Sequence, residues 1–137
     1  MNSSEQYHEL SFYTLAHPDN LYFIHQHIAD AQTAQTADAN TKPIAIVYAL
    51  IGLYLTVEKN YTGRQVQQAH LQLSKNKKNL PSINLPEKRG EITVQEVLKA
   101  PPGPERDAAI RDWCVSVWEA YGNVRDTILK YCDENLE

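Results

Sequence analysis

From residue 44 to residue 57 the chain reads IAIVYALIGLYLTV, fourteen residues that are apolar on every side of a helical wheel. A bilayer needs about 20 such residues, so this segment is too short to span one and must be covered by protein. Pro43 stands just ahead of it, where a first helical turn accepts proline. The segment is therefore expected to be the central helix of a helical domain, with the other helices packed around it. A second copy of the chain is another source of cover, which makes a homodimer through residues 44–57 an expectation.

The flanking sequence supplies those other helices. Ser3 or Ser4 is placed to cap a first helix that runs to about Ala16 and stops before His17-Pro18, since the residue before proline avoids the helical region. Asp19 or Asn20 then caps a second helix, in which Leu21, Ile24, Ile28 and Ala31 form a stripe that fades over residues 33–41. Thr62-Gly63-Arg64-Gln65 is a capping box, and the helix it opens carries Val66, Ala69, His70 and Leu73 on one face. Thr93-Val94-Gln95-Glu96 repeats the device for a short helix to about Ala100. Pro104 starts a last helix, whose stripe of Ile110, Cys114, Val117, Tyr121, Val124, Ile128 and Tyr131 passes Gly122 in phase. That stripe reads as one long helix, with Gly122-Asn123 as the place where it can kink. Residues 76–92, with Pro81, Pro86 and Gly90, read as an irregular surface segment. The pattern predicts one all-α domain over residues 1–137, an antiparallel bundle of four main helices plus the short one.

Composition narrows the functional classes. Lys and Arg number 13 against 17 Asp and Glu, a net charge of −4 that argues against a dedicated nucleic-acid binder. Residues 59–90 are locally basic, with seven Lys or Arg against Glu87 alone, but no aromatic residue lies between Lys75 and Arg89 to stack a base. The N-terminus lacks a basic stretch followed by an apolar run, so no signal peptide is expected. Cys114 and Cys132 lie 18 positions apart in what reads as one helix, which separates them by ~27 Å. They are expected to be free, buried thiols in a cytoplasmic protein without a membrane span.

No nucleotide-binding loop, zinc-protease motif, CxxC pair or nucleophile elbow is present. The informative residues are polar groups on inward faces. His70 lies within the apolar face of its helix, and His25, Gln32 and Gln35 lie on or beside the stripe of the second. Glu58 falls on the Val47/Ile51/Tyr54 side of the apolar helix, and His17 ends the first. Buried polar groups must find partners, so these form a hydrogen-bonded network, a ligand pocket, or a divalent-metal site built from His17, His25, Glu58 and His70. Arg64 and Gln67, in the first turns of the fourth helix, are placed to meet an anion or to pair with an acidic side chain. Trp113 and Trp118 flank the last stripe, as core or as pocket walls. His27 and Asp30 fall elsewhere on the wheel and are the weaker candidates.

Three stretches carry a resemblance: HPDNLYFIHQHIADAQTAQ (residues 17–35), TGRQVQQAHLQL (62–73) and RDWCVSVWEAY (111–121). In order and spacing they resemble a bacterial family of small, all-helical proteins of uncharacterised function, over roughly residues 10–121. The resemblance implies that His17, Asp19, His25, Gln26, Asp30, Arg64, Gln67, His70, Trp113 and Trp118 belong to the family pattern, and it implies no activity. An aromatic residue is expected where Gln32 stands, so this second helix is locally more polar than its relatives. Together with the inward-facing set, the resemblance gives a candidate pocket of His17, His25, Gln26, Arg64, Gln67, His70 and Trp113. The expected function is a non-catalytic ligand- or partner-binding module. The alternative is a metal-binding protein or metal-dependent enzyme using His25 and His70.

Overall fold

A computed structural model describes residues 2–16, 22–75 and 79–136. These form α1 (Ser3–Leu15), α2 (His25–Thr36), α3 (Pro43–Lys59), α4 (Gly63–Ser74), α5 (Val94–Lys99), α6 (Pro104–Ala120), a 3-10 turn (Gly122–Val124) and α7 (Arg125–Asn135). No strand occurs among the described residues. The protein is all-helical.

The apolar helix α3 sits at the centre. Pro43 opens it, and Asn60, in the left-handed conformation at φ 57°, closes it by donating its N–H to the Leu55 carbonyl. Ile46, Val47 and all eight residues from Ala49 to Thr56 are buried. Their cover comes from α2, α4, α6 and α7 of the same chain. Ile44, Ala45, Tyr48 and Val57 of the same helix stay partly exposed. Each fully buried Leu, Ile or Val contributes about 1.5–3 kcal/mol, and Leu50, Ile51, Leu53 and Val47 are wholly inaccessible. α2, α3 and α6 pack against one another in a triangle. α1 lies on α2 and α5, and α5 also meets α6.

Two helix boundaries differ from the sequence expectation. α2 begins at His25, not near residue 20, because Phe23 adopts a left-handed backbone at φ 59° and turns the chain. The turn points the Tyr22 carbonyl at the start of α4, where it accepts the Arg64 N–H at 2.9 Å. The expected caps Asp19 and Asn20 lie outside the described residues. The last helix also divides: α6 ends at Ala120, and after the 3-10 turn α7 leaves α6 and lies on α3. The apolar stripe stays in phase through the break, since Ile110, Cys114, Val117, Tyr121, Val124, Ile128 and Tyr131 are all buried. Cys114 and Cys132 therefore sit in different helices, both free and buried.

Residues 79–92 contain neither helix nor strand, yet Leu80, Ile83, Leu85 and Ile92 pack on the core. A reciprocal latch fixes the segment to the end of α2. The Gln35 amide donates to the carbonyls of Ile92 (2.7 Å) and Arg89 (3.2 Å), while the Arg89 guanidinium donates to those of Ala37 and Pro86. No described helix is long and apolar enough to cross a membrane.

Candidate functional site

The left-handed turn at Phe23 assembles the most compact group of the residues singled out in the sequence. Gly63, the first residue of α4, has no side chain because a Cβ there would lie 1.8 Å from the Phe23 carbonyl oxygen. This close approach lets the Arg64 guanidinium lie over the Phe23 ring, 4.7 Å from its centroid. The His25 ring is tilted against the same ring, 5.9 Å between centroids. Gln67, one turn along α4, accepts from Arg64 Nη1 at 2.5 Å. His25 and Arg64 thus share one aromatic ring, with Gln67 bonded to Arg64, and all three are half-buried. His25 Nδ1 meets Thr14 Oγ1 at 2.9 Å, tying the corner to α1, and burial lowers the imidazole pKa, which favours its neutral form.

The other candidates lie elsewhere. Gln26 faces inward and donates to Asp30 Oδ1 at 3.1 Å. His70 donates from Nε2 to the Tyr48 carbonyl at 2.8 Å and stacks on the Tyr48 ring, 5.1 Å between centroids. Burial of His70 outweighs that bond and lowers its pKa. Trp113 is wholly buried in the core and donates its indole N–H to Gln35 Oε1 at 3.0 Å. Glu58 accepts from the Trp118 indole at 2.7 Å and from the Arg125 guanidinium, whose hydrogen bond holds the Glu58 carboxyl below its usual range. His17 lies outside the described residues. His25, His70 and Glu58 therefore take separate partners, on α1, on α3, and on α6 and α7 respectively. No group of three His, Cys, Asp or Glu placed to hold a metal occurs among the described residues.

The structure moves two residues from the margin to the centre. His27 and Asp30, weak candidates by the wheel, are 3% and 5% exposed between α2, α3 and α6. His27 Nδ1 meets Thr56 Oγ1 at 3.1 Å and Nε2 meets the Tyr22 hydroxyl at 3.2 Å, so the imidazole is satisfied at both nitrogens. Burial, with Arg111 nearby, lowers its pKa to about 4, and the ring is neutral at pH 7. Burial pushes the Asp30 carboxyl well above the usual range. Its Oδ2 has no hydrogen-bond partner among the described residues and lies against Gly52, where a Cβ would approach to 1.9 Å. The Cys114 thiol, donating to the His27 carbonyl at 3.6 Å, is raised by the same burial and is unreactive. An acid and an imidazole that do general acid–base work need to reach a substrate; these are sealed in the core and bound to their neighbours. A signal for Asp30 was present in the sequence as Gly52, a glycine inside a helix that otherwise has no use for one.

A family model described as a family of unknown function (DUF5946) matches residues 4–122. The chain belongs to DUF5946. The match spans α1 to α6, so the Phe23 corner, the His27–Asp30 core and both tryptophans lie inside it, and α7 lies beyond it. No curated protein and no solved structure matches the chain.

Proposed function

We propose that this DUF5946 protein is a non-catalytic binding module whose contact surface is the Phe23 corner, with His25, Arg64 and Gln67 as its polar groups. The observation that carries the reading is the backbone of Phe23. A left-handed conformation at a bulky aromatic residue costs about 1–3 kcal/mol, and such strain is retained where it positions something. Here the Phe23 ring has a guanidinium over it and an imidazole beside it. A guanidinium over a ring, at the first turn of a helix, suits a ligand or partner that offers a carboxylate. The sealed state of His27 and Asp30 favours binding over catalysis.

A thermal-shift screen with small carboxylates tests it. At least one member of a panel including acetate, succinate and citrate is expected to raise the Tm, with the shift lost in Arg64→Ala and kept in the distant, exposed Lys99→Ala. If no carboxylate shifts the wild type, or if Arg64→Ala responds as the wild type does, the corner is not the contact surface.

A further inference from the structure

Three large apolar side chains stand open to solvent among the described residues: Phe12 and Leu15 of α1 and Leu71 of α4, at 77%, 61% and 66% exposure. Phe12 and Leu15 lie about one turn apart and share the face of α1 opposite Leu10 and Thr14, which turn inward. The fold therefore leaves that face unused. Glu5, His8 and Glu9 are exposed along it. Leu71 stands between Gln68 and Lys75 on an exposed face of α4. A single surface leucine is ordinary, but a phenylalanine and a leucine side by side on one helix, at this exposure, form an apolar patch.

The two helices carry opposite charge. α1 has Glu5 and Glu9, and it belongs to a stretch, residues 1–41, that holds no Lys or Arg. α4 and its C-cap have Arg64 and Lys75 and no Asp or Glu. The helices are matched in length, 13 and 12 residues, and both rest on α2. Laid antiparallel with Phe12 and Leu15 over Leu71, an α1 brings its Glu9 to Lys75. Glu9 precedes Phe12 and Lys75 follows Leu71 by about 5 Å along the helix axis, and the antiparallel helix dipoles attract. Pairing α1 with its own copy instead sets Glu5 and Glu9 at the negative end of the other helix. The α1 face also has no Lys or Arg to meet an anionic lipid headgroup.

We propose that this α1 face is an interface with a second copy of the chain, a two-fold dimer in which Phe12 and Leu15 pack on the partner's Leu71 and Glu9 pairs with the partner's Lys75. Two-fold symmetry makes each contact twice, so one acidic helix and one basic helix on each copy suffice. A dimer of ordinary size buries about 800 Å² per partner, with its apolar area concentrated at the centre. Phe12, Leu15 and Leu71 form that centre, and the flanking charges set the register. The interface uses none of the residues of the Phe23 corner and none of the half-exposed residues of α3.

Sedimentation velocity on the full chain, across micromolar concentrations at low and high salt, tests it. A concentration-dependent dimer is expected, weakened severalfold at high salt as the charge pairs are screened. Phe12→Ser and Leu71→Ser, at exposed positions, are each expected to weaken it about tenfold, with helical circular dichroism unchanged. Glu9→Lys and Lys75→Glu are each expected to weaken it about tenfold as well. Combined in one chain they are expected to recover most of the wild-type affinity, since the exchanged charges face each other again. A chain that is monomeric throughout overturns the proposal; if it then pellets with phosphatidylcholine vesicles and Phe12→Ser does not, the face belongs to a lipid surface. A dimer indifferent to Phe12→Ser and Leu71→Ser, or a charge exchange that restores nothing, also overturns it and moves the contact to another face.

Discussion

At the scale of single residues, the decisive contact is between Asp30 and Gly52. Asp30 is carried on a helix face that presses directly against α3, and only a residue without a side chain leaves room for its Oδ2. Alanine is a better helix former than glycine by about 1 kcal/mol, so on propensity alone Gly52→Ala stabilises. The 1.9 Å approach to the carboxylate reverses the sign, because the neighbour is short, buried and held by Gln26. Gly52→Ala is expected to lower the free energy of unfolding by about 2–3 kcal/mol, measured by urea denaturation. Adding Asp30→Ala is expected to restore part of it. A stabilised Gly52→Ala would show that the two helices do not approach this closely.

At the scale of elements, capping and latching residues decide where structure starts and stops. The Thr62 and Thr93 capping boxes form as their sequences predict, because a capping box is a local device that needs only four residues. The 79–92 segment has no local device. Its position depends on Gln35 and Arg89, which are more than fifty positions apart and exchange side-chain bonds for backbone carbonyls. Arg89→Ala is expected to release the segment while the helices stay intact. Limited proteolysis is then expected to cleave within 79–92 severalfold faster, with helical circular dichroism unchanged. Equal cleavage rates would mean that Leu80, Ile83 and Leu85 hold the segment by packing alone. Gly122-Asn123 marked where the last helix could bend, but its full division into α6 and α7 was not legible, because the apolar stripe passes that point without losing phase. The register of burial is set by periodicity, but whether the backbone hydrogen bonds run unbroken is set by which neighbour each half rests on.

At the scale of the whole molecule, the polar core ties stability to pH through two opposing groups. His27 has a pKa near 4 when folded and an ordinary value of 6.5 when unfolded. Its contribution is fully present above pH 6.5 and is lost as pH falls toward 4, about 3 kcal/mol in all. Asp30 has a raised folded pKa. Its contribution is fully present below the unfolded carboxylate range and is lost as pH rises through the folded value. The two trends oppose each other between about pH 4 and 6.5. Asp30→Asn removes one of them, so its unfolding free energy is expected to fall more steeply than the wild type as pH drops through that window. The variant is also expected to gain on the wild type toward neutral pH. Denaturation curves read from the two buried tryptophans, at several pH values, provide the measurement. Parallel profiles for the two proteins would mean that Asp30 ionises in the folded state as it does in water.

The candidate site was half legible for the same reason. The sequence placed Arg64 and Gln67 on the first turns of α4 through the Thr62 box, and it placed His25 beside them through the family resemblance. It ranked His27 and Asp30 low, because a helical wheel assumes one buried face. α2 is covered by α1, α3, α4 and α6 and so buries more than its apolar stripe.

Local order in this chain follows from side chains acting on their own neighbours: the uninterrupted apolar run that becomes α3, the threonine boxes, and the prolines that open α3 and α6. Those effects reach about a turn along the backbone, and the sequence alone determines them. The left-handed Phe23, the start of α2, the buried carboxyl of Asp30 against Gly52 and the parting of α6 from α7 were decided by tertiary structure. Each depends on a partner distant in sequence, and only the folded chain brings such partners together.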